Sequence, residues 1–573
     1  MDKYCSKKFN FLFAAFIALL FCCVFYFFGG HSIVKIFFTN PLEHYYQKID
    51  IAFSFFIFLF GVWLVAYWSI ILNKIELFIS GLSICAVILV LIATSKYGPG
   101  VNSDSMFYLT AGENLVKGKG LIVFNGSYFV DWPPLFSVLL GFFYLLGVNT
   151  LIAAQWINAI AFGLIVFFTG ILLQKKVKTS LYIIAGVMAI FLSSPLLTAS
   201  VFVHSDILFA LFILLFAIAL TRYLERPNPH NLFFTTVFVI FACMQRYAGI
   251  FVIGAGFISI LFLTKGKGVR ENINHALVFT IATSVLFGMW LFRNYAVSAT
   301  LTGVRAPEHI FEFSRAVKSL LNVMSLWILP GSVPLFLRSI ILCGVILFLV
   351  CINIYFYSKN KERANSEGNG ILSIVIVVIF YLGFMTIYSA KETAYNVTDR
   401  LLAPIYPLLI LLMFVSIVNF LTAVKNYKRA ALIINCLVII FLIYSSVRVV
   451  ERFSTFLLNG AGGFNVIVYR ESELFKWLRN NKLEGELYSN VPEAVYSLSG
   501  KTTFKTPKKD KCPTEFYRND DLERLAQDIK KKESVFFIWF NKKQDCLYEA
   551  AEVKDKLLLK EFKIFADGAI YAK

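Results

Sequence analysis

Charged residues are scarce in this sequence of 573 amino acids, because Asp, Glu, Lys and Arg together make up only 16% of it. A water-soluble domain keeps about a quarter of its residues charged. The composition therefore excludes a soluble globular protein, and the hydrophobic content of 58% excludes a disordered chain. It is typical of a membrane protein that crosses the bilayer many times.

Several functional motifs are missing as well. The sequence has no CxxC, HExxH or Cys/His cluster, so it predicts neither a structural zinc site nor a haem site. It has no Walker loop, which argues against an ATP-driven motor. The net charge of +19 does not come from a basic arm or an aromatic-interleaved basic stripe, so it does not indicate nucleic-acid binding. The basic residues lie in short loops, where membrane topology explains them.

Long apolar runs are what the sequence has in abundance. A helix needs about 20 mostly apolar residues to cross a bilayer. Thirteen segments are candidate spans: 9–28, 51–72, 77–94, 151–173, 181–200, 207–221, 231–245, 249–264, 273–292, 335–357, 371–390, 401–421 and 430–450. The run 135–147 is too short to span, and we expect it to lie against the membrane surface. The predicted fold is mostly α, a polytopic transmembrane helical bundle of about 13 spans.

The basic loops predict the orientation. With a cytoplasmic N-terminus, Lys- and Arg-rich loops such as 175–178 and 264–270 fall inside, as the positive-inside rule requires. We therefore expect a multi-pass protein of the bacterial plasma membrane with its C-terminus outside. The predicted organisation is two extra N-terminal spans in 1–76, a larger transmembrane domain in 77–450 with outer loops 95–134 and 293–334, and a soluble outer domain in 451–573.

The C-terminal 123 residues have a balanced charge, with 22 basic and 19 acidic side chains. Helical patterns near 471–480 and 521–532 alternate with strand-like runs at 485–489, 534–540 and 561–572, which predicts a small α/β domain. This domain contains Cys512 and Cys546, the two cysteines that we place outside the membrane. An oxidising location favours a disulfide between them.

The first outer loop contains the segment GPGVNSDSMFYLTAGENLVKGKG, residues 98–120. Its pattern predicts a short surface helix that Ser103 or Ser105 caps and that ends near Gly118. Asp104 lies at the start of this helix, where the helix dipole favours an ionised carboxylate. Such a group can act as a general base or as a metal ligand. The alternative is that Asp104 only caps the helix.

Two further segments place acids at the membrane boundary. FVDWPPLF contains Asp131, which is either functional or a cap beside the prolines of the next helix. VFVHSDILFALF contains His204 and Asp206 where a span begins. A carboxylate beside hydrocarbon is costly, which makes Asp206 a functional candidate, and N-capping is its alternative role.

Three arginines lie at the outer ends of apolar segments: Arg246 in QRYAG, Arg293 in FRNY and Arg400 in NVTDRLLAPIYP. A guanidinium at the outer end of an apolar groove suits a phosphate group. The alternative for each arginine is an ordinary lipid headgroup or a local acid such as Asp399.

Together these motifs carry a family likeness. NSDSMFYLTAGENLVKGKG, then DWPPL, and much later DRLLAPIYP resemble motifs of the polytopic GT-C glycosyltransferases. The likeness covers roughly residues 77–450 and is strongest to family 39-like members: protein O-mannosyltransferases, the lipid A aminoarabinose transferase and Rgt-type bacterial sugar transferases. The aminoarabinose transferases have a lysine where this chain has Trp132, which argues against that particular activity.

The resemblance implies roles for individual residues. Asp104 matches the loop acid, which the family uses as a catalytic base or as a carboxylate that holds a divalent metal ion. Asp131 matches a second acid. The predicted site residues are Asp104 and Asp131 for catalysis, Arg246, Arg293 and Arg400 for the donor phosphate, and Tyr108, His204 and Asp206 for acceptor or supporting contacts.

The expected function is sugar transfer from a polyprenyl-phosphate donor to a lipid, glycan or protein acceptor outside the membrane. One alternative is a lipid or glycan transporter or flippase without chemistry, which would place charges near the bilayer midplane and often show internal repeats. The other is an O-antigen ligase or polymerase, which would place its chemistry in later outer loops.

Overall fold

The computed structural model describes residues 51, 54, 58–67, 69–70, 74–303, 311–359, 366–391, 396–424, 426–507, 522–541 and 547–573. The predicted span 9–28 lies outside these residues, and so do Cys512 and Cys546. That span and the disulfide therefore stay predictions. The segment 51–72 is described only in part.

The described residues before the C-terminal domain form mainly helices. In chain order they are α1 (Phe58–Tyr67), α2 (Ile75–Ala93), α3 (Ser103–Val116), α4 (Leu135–Leu145), α5 (Thr150–Lys176), α6 (Ser180–Phe191), α7 (Ser194–Val201), α8 (Asp206–Glu225), α9 (Pro229–Gln245), α10 (Ile250–Leu263), α11 (Val269–Ser298), α12 (Phe313–Leu326), α13 (Leu335–Lys359), α14 (Ser366–Lys391), α15 (Asp399–Leu402), α16 (Tyr406–Ala423) and α17 (Tyr427–Asn459). Short 3₁₀ turns connect α9 to α10 and α15 to α16.

Eight of the described helices, with α15 and α16 counted as one, are long and apolar enough to cross a membrane. They are α2, α5, α8, α11, α13, α14, α15–α16 and α17. The pair α6–α7, bent by 41°, is long enough for a ninth span. The predicted spans 231–245 and 249–264 are the shorter helices α9 and α10. The protein is thus a multi-pass membrane protein, and the count of thirteen spans stays a prediction.

Two spans form the centre of the bundle. In α8 and in α15–α16, 78% of the most apolar stretch is buried inside the protein, against 17% in α13 and 11% in α17. Because apolar side chains face either protein or lipid, α13 and α17 lie at the lipid-facing periphery. The two central spans begin with Asp206 and Asp399, so charged residues stand at one end of the best-enclosed helices.

The two ends of the bundle have different partners. At one end, Lys175 and Lys176 of α5 bind Glu225 at the end of α8, with N–O distances of 2.7 and 3.1 Å. At the other end, the backbone N–H of Phe464, after the last span, donates to the carbonyl of Val101 at 2.6 Å. The C-terminal domain therefore lies on the same side as the loop 95–134, as the predicted topology requires.

Helix α4 packs against α3 in the outer loop. A Cβ atom on Gly112 would lie 2.6 Å from the carbonyl of Ser137, and one on Gly141 would lie 2.8 Å from the carbonyl of Gly112. Only glycine permits this close approach. The opposite face of α4 is exposed and apolar, with Leu145 69% exposed. With 11 residues α4 is too short to span, and its exposed face fits the predicted position at the membrane surface.

The C-terminal domain follows α17 and contains a five-stranded sheet in the order β2-β1-β3-β5-β4. Its elements in chain order are α18 (Ile467–Arg470), α19 (Glu473–Asn480), β1 (Glu486–Ser489), α20 (Pro492–Ser499), β2 (Phe504–Lys505), α21 (Leu522–Lys530), β3 (Val535–Phe540), α22 (Ala550–Leu557), β4 (Lys560–Phe565) and β5 (Gly568–Ala572). Strand β1 pairs in parallel with β2 and β3, while β5 pairs antiparallel with β3 and β4.

The central strands β1 and β3 bury side chains on both faces of the sheet, since successive side chains of a strand point in opposite directions. Leu487 and Ile538 belong to one buried cluster, and Tyr488 and Phe537 belong to the other. The predicted small α/β domain is therefore confirmed. The run 561–572, which the pattern gives as one strand-like segment, is the hairpin of β4 and β5.

Candidate active site

Asp104 lies in the first turn of α3 and does not cap the helix. The N-cap is Asn102, whose Oδ1 accepts from the backbone N–H of Ser105 at 3.1 Å, while Ser105 Oγ accepts from the backbone N–H of Asn102. The expectation that Ser103 or Ser105 is the cap is therefore wrong: asparagine fills that position, with Ser105 as its reciprocal partner. The carboxylate of Asp104 instead accepts a hydrogen bond from Nη1 of Arg400 at 3.2 Å.

Asp206 is the first residue of α8 and is 1% exposed. The N-cap is Ser205, so the capping role considered for Asp206 is wrong. Its Oδ1 accepts a hydrogen bond from Nη1 of Arg246. Its Oδ2 lies 3.7 Å from both Nε of Arg400 and Nδ1 of His204. A buried carboxylate requires such compensation, because desolvation of an unpaired charge costs several kcal/mol.

The four charged groups form a chain in which the signs alternate: Asp104, Arg400, Asp206 and Arg246. The first pair is accessible, with side-chain exposures of 31% for Arg400 and 29% for Asp104. The second pair is deeper, with 17% for Arg246 and 1% for Asp206. A ligand that enters from solvent therefore reaches Arg400 and Asp104 first, and Asp206 of the deeper pair contacts Arg400 from the buried side.

His204 connects this chain to the cap of α3. The side-chain atom of Asn102 that accepts from the backbone N–H of Ser105 is the amide oxygen, Oδ1, which cannot donate. Nε2 of His204, which lies 2.9 Å from the same atom, is therefore the donor. Nδ1 is then unprotonated and can accept from Nη1 of Arg400 at 3.2 Å. Burial and the nearby guanidiniums of Arg400 and Arg246 hold the pKa of His204 well below its usual value. His204 therefore acts as a neutral acceptor for Arg400.

Tyr108 supports the site from the middle of α3. It is buried, and its hydroxyl lies 3.0 Å from Oγ of Ser205, the residue before Asp206. Its ring contacts those of Phe129, Trp132 and Phe136. Burial raises the pKa of Tyr108, so the hydroxyl stays protonated. Its position is that of a supporting residue.

Arg293 and Asp131 have different surroundings. The guanidinium of Arg293 donates to the carbonyl of Phe129 at 2.8 Å and to that of Leu121 at 3.3 Å. It therefore ties the outer loop to α11. Asp131 lies beside Gly303, because a Cβ atom on Gly303 would lie 1.8 Å from Oδ1 of Asp131. Among the contacts described, neither residue joins the alternating chain, so their roles in phosphate binding and catalysis stay predictions.

Comparison with solved structures supports the fold. Crystal structures of ArnT from Cupriavidus metallidurans match with TM-scores of 0.57 in the apo state and 0.56 with undecaprenyl phosphate bound. At 10% sequence identity, each match covers 86% of this chain and 97% of the ArnT chain. This chain has the GT-C fold. The archaeal oligosaccharyltransferase AglB from Archaeoglobus fulgidus, in complex with an inhibitory peptide and a dolichol-phosphate, matches over 80% of this chain and 69% of its own at 12% identity, with a TM-score of 0.49. No family model matches, and neither does any curated protein sequence.

A divalent metal ion does not fit the candidate site as it is arranged. Within the described part of the chain, no group of three or more His, Cys, Asp and Glu side chains could hold a metal ion. The guanidinium of Arg400 lies between the carboxylates of Asp104 and Asp206, where a bridging cation would have to lie. Both carboxylates already have guanidinium partners, so the site is balanced in charge.

Several residues around the candidate site are not predicted from the sequence. Asn102 orients His204, and its signal was the preference of asparagine for N-cap positions. Tyr247 donates to the carbonyl of Val130 at 2.6 Å and accepts from Nδ2 of Asn294 at 2.9 Å, which fixes the loop before Asp131. No local pattern marks Tyr247 or Asn294, because their partners are distant in the sequence.

Proposed function

We propose that this protein is a membrane glycosyltransferase that moves a sugar from a polyprenyl-phosphate donor to a lipid, glycan or protein acceptor on the outer face of the membrane. The observation that carries the proposal is the accessible pair of Asp104 and Arg400, which lies over the buried pair of Asp206 and Arg246. An accessible base beside an accessible cation is what this reaction needs. ArnT, which shares the fold, has been crystallised with undecaprenyl phosphate.

Arg400 is the group that we assign to the donor phosphate. Its guanidinium is accessible, and its donors can make the paired hydrogen bonds that phosphate oxygens accept. Arg246 is less accessible and is held by Asp206, which also lies 3.7 Å from Nε of Arg400. Asp206 and His204 together orient Arg400 before the donor arrives. Such preorganisation stabilises charge that develops on the leaving group.

Asp104 is the group that we assign as general base. The acceptor hydroxyl attacks the anomeric carbon, and the bond from that carbon to the phosphate oxygen breaks. The bonding electron pair stays on the phosphate, where Arg400 stabilises the charge, and the hydroxyl proton goes to Asp104. In the structure Asp104 shares Nη1 of Arg400 with His204. A phosphate on Arg400 would displace Asp104 and free its carboxylate for the proton.

The position of the charges argues for chemistry rather than transport. The alternating chain lies at the ends of α3, α8 and α15, whereas a transporter places its charged groups near the bilayer midplane. The chain also includes Asp104 from the first outer loop. An O-antigen ligase or polymerase would place its reacting groups in later outer loops. We therefore favour transfer from a lipid-linked donor.

A donor panel tests the proposal. Purified protein in liposomes is incubated with radiolabelled polyprenyl-phosphate sugars, both hexoses and pentoses, together with a membrane extract as the source of acceptors. We expect one donor to lose its label to an acceptor with wild-type protein and not with Asp104→Asn. Movement of intact donor lipid across the bilayer, with no transfer from any donor, would instead indicate a flippase.

A further inference from the structure

The C-terminal domain enters the site through a glycine-rich segment, GAGG at 460–463. One isolated parallel β-bridge pairs Gly463 of this segment with Val101, and a second pairs the neighbouring Gly100 with Phe202. The residues 100–101 thus lie between the segment that starts the C-terminal domain and the segment that follows α7. We call these three segments, 100–101, 202–203 and 460–463, the backbone clamp.

The backbone clamp lies directly before the residues of the candidate active site. Residue 101 precedes the cap Asn102, and Val203 precedes His204. The N–H of Gly100 donates to Val201 at 2.8 Å, and the N–H of Val203 donates back to Gly100 at 2.9 Å. Any shift of the clamp therefore moves the starts of the two segments that carry Asp104 and Asp206.

Gly462 and Gly463 of the clamp cannot be replaced without a clash. Gly462 has φ +123° and Gly463 has φ +63°, which are conformations that residues with a side chain rarely adopt. A Cβ on Gly463 would lie 1.9 Å from the carbonyl oxygen of Val101. A Cβ on Gly462 would lie 2.2 Å from Cζ of Phe202. The backbone of the C-terminal domain approaches the site this closely only because both residues lack a side chain.

Phe202 carries the contact from the clamp into the site. Its ring lies against Gly462 and is stacked on the ring of His204, with centroids 5.1 Å apart and planes 11° apart. His204 in turn contacts Arg400 through Nδ1. Pressure on the ring of Phe202 would therefore change the position of the group that orients the proposed phosphate ligand.

Hydrogen bonds from side chains of the C-terminal domain also hold the backbone clamp in place. Asn465 donates from Nδ2 to the carbonyl of Pro99 at 2.7 Å. Its Oδ1 accepts from Nη2 of Arg470 at 2.7 Å, and Arg470 also donates to the carbonyl of Tyr97 at 3.4 Å. These contacts hold the segment before Gly100 on the same domain.

We infer that Gly462 and Gly463 are positioning residues through which the C-terminal domain sets the geometry of the active site. The effect of the clamp on sugar transfer rests on the proposed function. Its effect on the position of His204 rests on the structure alone. The domain is thereby part of the catalytic apparatus and more than an attached module. A misplacement of about 1 Å can lower a catalytic rate about a hundredfold.

The experiment uses the full-length protein with two readouts. Gly462→Ala and Gly463→Ala test the clamp. Gly500→Ala is the matched control, because Gly500 also lies in the C-terminal domain with φ +71°, but a Cβ atom on it would meet no other atom of the described residues within 4 Å. The first readout is the ¹⁵N shifts of the His204 ring, assigned by loss of the signal in His204→Asn. The second is kcat and KM for the donor.

We expect both clamp variants to shift the His204 signals and to lower kcat at least about tenfold, while Gly500→Ala changes neither. If Gly462→Ala does not fold, Phe202→Leu replaces it, since loss of the stacked ring must also move the His204 signals. Unchanged His204 signals in folded Gly462→Ala or Phe202→Leu would overturn the inference. If wild-type protein transfers no sugar, the proposed function fails, and the His204 signals still decide the role of the clamp.

Discussion

Oδ2 of Asp104 accepts a hydrogen bond from Nη1 of Arg400 at 3.2 Å, although 296 positions separate the two residues in the sequence. The bond joins the first outer loop to the start of a central span. It places a carboxylate and a guanidinium side by side at an accessible position. The chemistry that we propose depends on this pair and on the buried pair beneath it.

Asp206→Asn should destabilise the protein strongly. The change leaves the guanidinium of Arg246 without its carboxylate in a buried position. Loss of one partner of a buried ion pair typically costs about 3–5 kcal/mol. Thermal unfolding in detergent measures the effect. Glu113→Gln is the control, because it breaks the exposed pair with Lys117 and should cost less than about 1 kcal/mol. Equal decreases of the unfolding temperature in the two variants would contradict the role of Asp206 as the buried partner of Arg246.

Arg400→Lys should weaken donor use, and Arg400→Ala should weaken it further. Lysine keeps the charge but loses the fork of donors that binds phosphate oxygens. A charge-assisted hydrogen bond contributes about 1.5–3 kcal/mol, so KM for the donor should rise about 10- to 100-fold in the Ala variant. Initial rates over a range of donor concentrations measure KM.

Two arginine variants test the specificity of this effect. Arg222→Ala removes an exposed arginine at the far end of α8 and should leave KM unchanged. Arg293→Ala should raise KM less than Arg400→Ala and should lower thermal stability, because Arg293 holds backbone carbonyls of the outer loop. A larger rise of KM in the Arg293 variant would indicate that Arg293, and not Arg400, binds the donor phosphate.

The low pKa of His204 predicts a pH dependence of stability. Unfolded histidine titrates near pH 6.5, whereas folded His204 stays neutral well below that pH. As the pH falls below about 6.5, the unfolded state binds a proton that the folded state does not bind. His204 therefore lowers the stability by up to about 1.4 kcal/mol per pH unit in this range.

Unfolding temperatures at pH 7.5 and pH 5.5 test this effect. The decrease between the two values should be smaller in His204→Gln than in the wild type. His230→Gln, which changes an exposed histidine, serves as the control and should keep most of the wild-type decrease. An equal decrease in the wild type and the His204 variant would show that His204 does not resist protonation.

The predicted orientation places the C-terminal domain outside the cytoplasm. A reporter that is active only outside, fused after Lys573, should be active, and one that is active only in the cytoplasm should not. Because the C-terminal domain contacts the loop 95–134, a second fusion within that loop should report the same side. Opposite results from the two positions would contradict the structure itself.

The sequence predicted what depends on local pattern. Apolar runs predict the long helices such as α2, α5 and α8, and short strand-like runs predict β1 and β3, because both signals lie within one element. Asp206 and Arg400 are candidates because charged residues at the ends of apolar spans are uncommon and costly, and Asp104 is a candidate because the start of a helix favours an ionised carboxylate.

Long-range contacts could not be predicted in the same way. Nothing near Gly463 shows that it meets Val101, and nothing near Arg293 shows that it holds the carbonyl of Phe129. The pattern predicts Ser103 or Ser105 as the cap of α3, whereas Asn102 is the N-cap and forms the reciprocal pair with Ser105.

The most direct test of the account is transfer by Asp104→Asn. Asparagine keeps the size of the side chain and an oxygen that can accept from Arg400, but it cannot take the acceptor proton. We expect transfer to fall about a hundredfold or more, the usual scale for loss of a general base, while insertion into the membrane and donor binding persist. Glu113→Gln, on the same helix, should transfer at the wild-type rate. Near-normal transfer by Asp104→Asn would contradict the account and would make Asp131 the next candidate base.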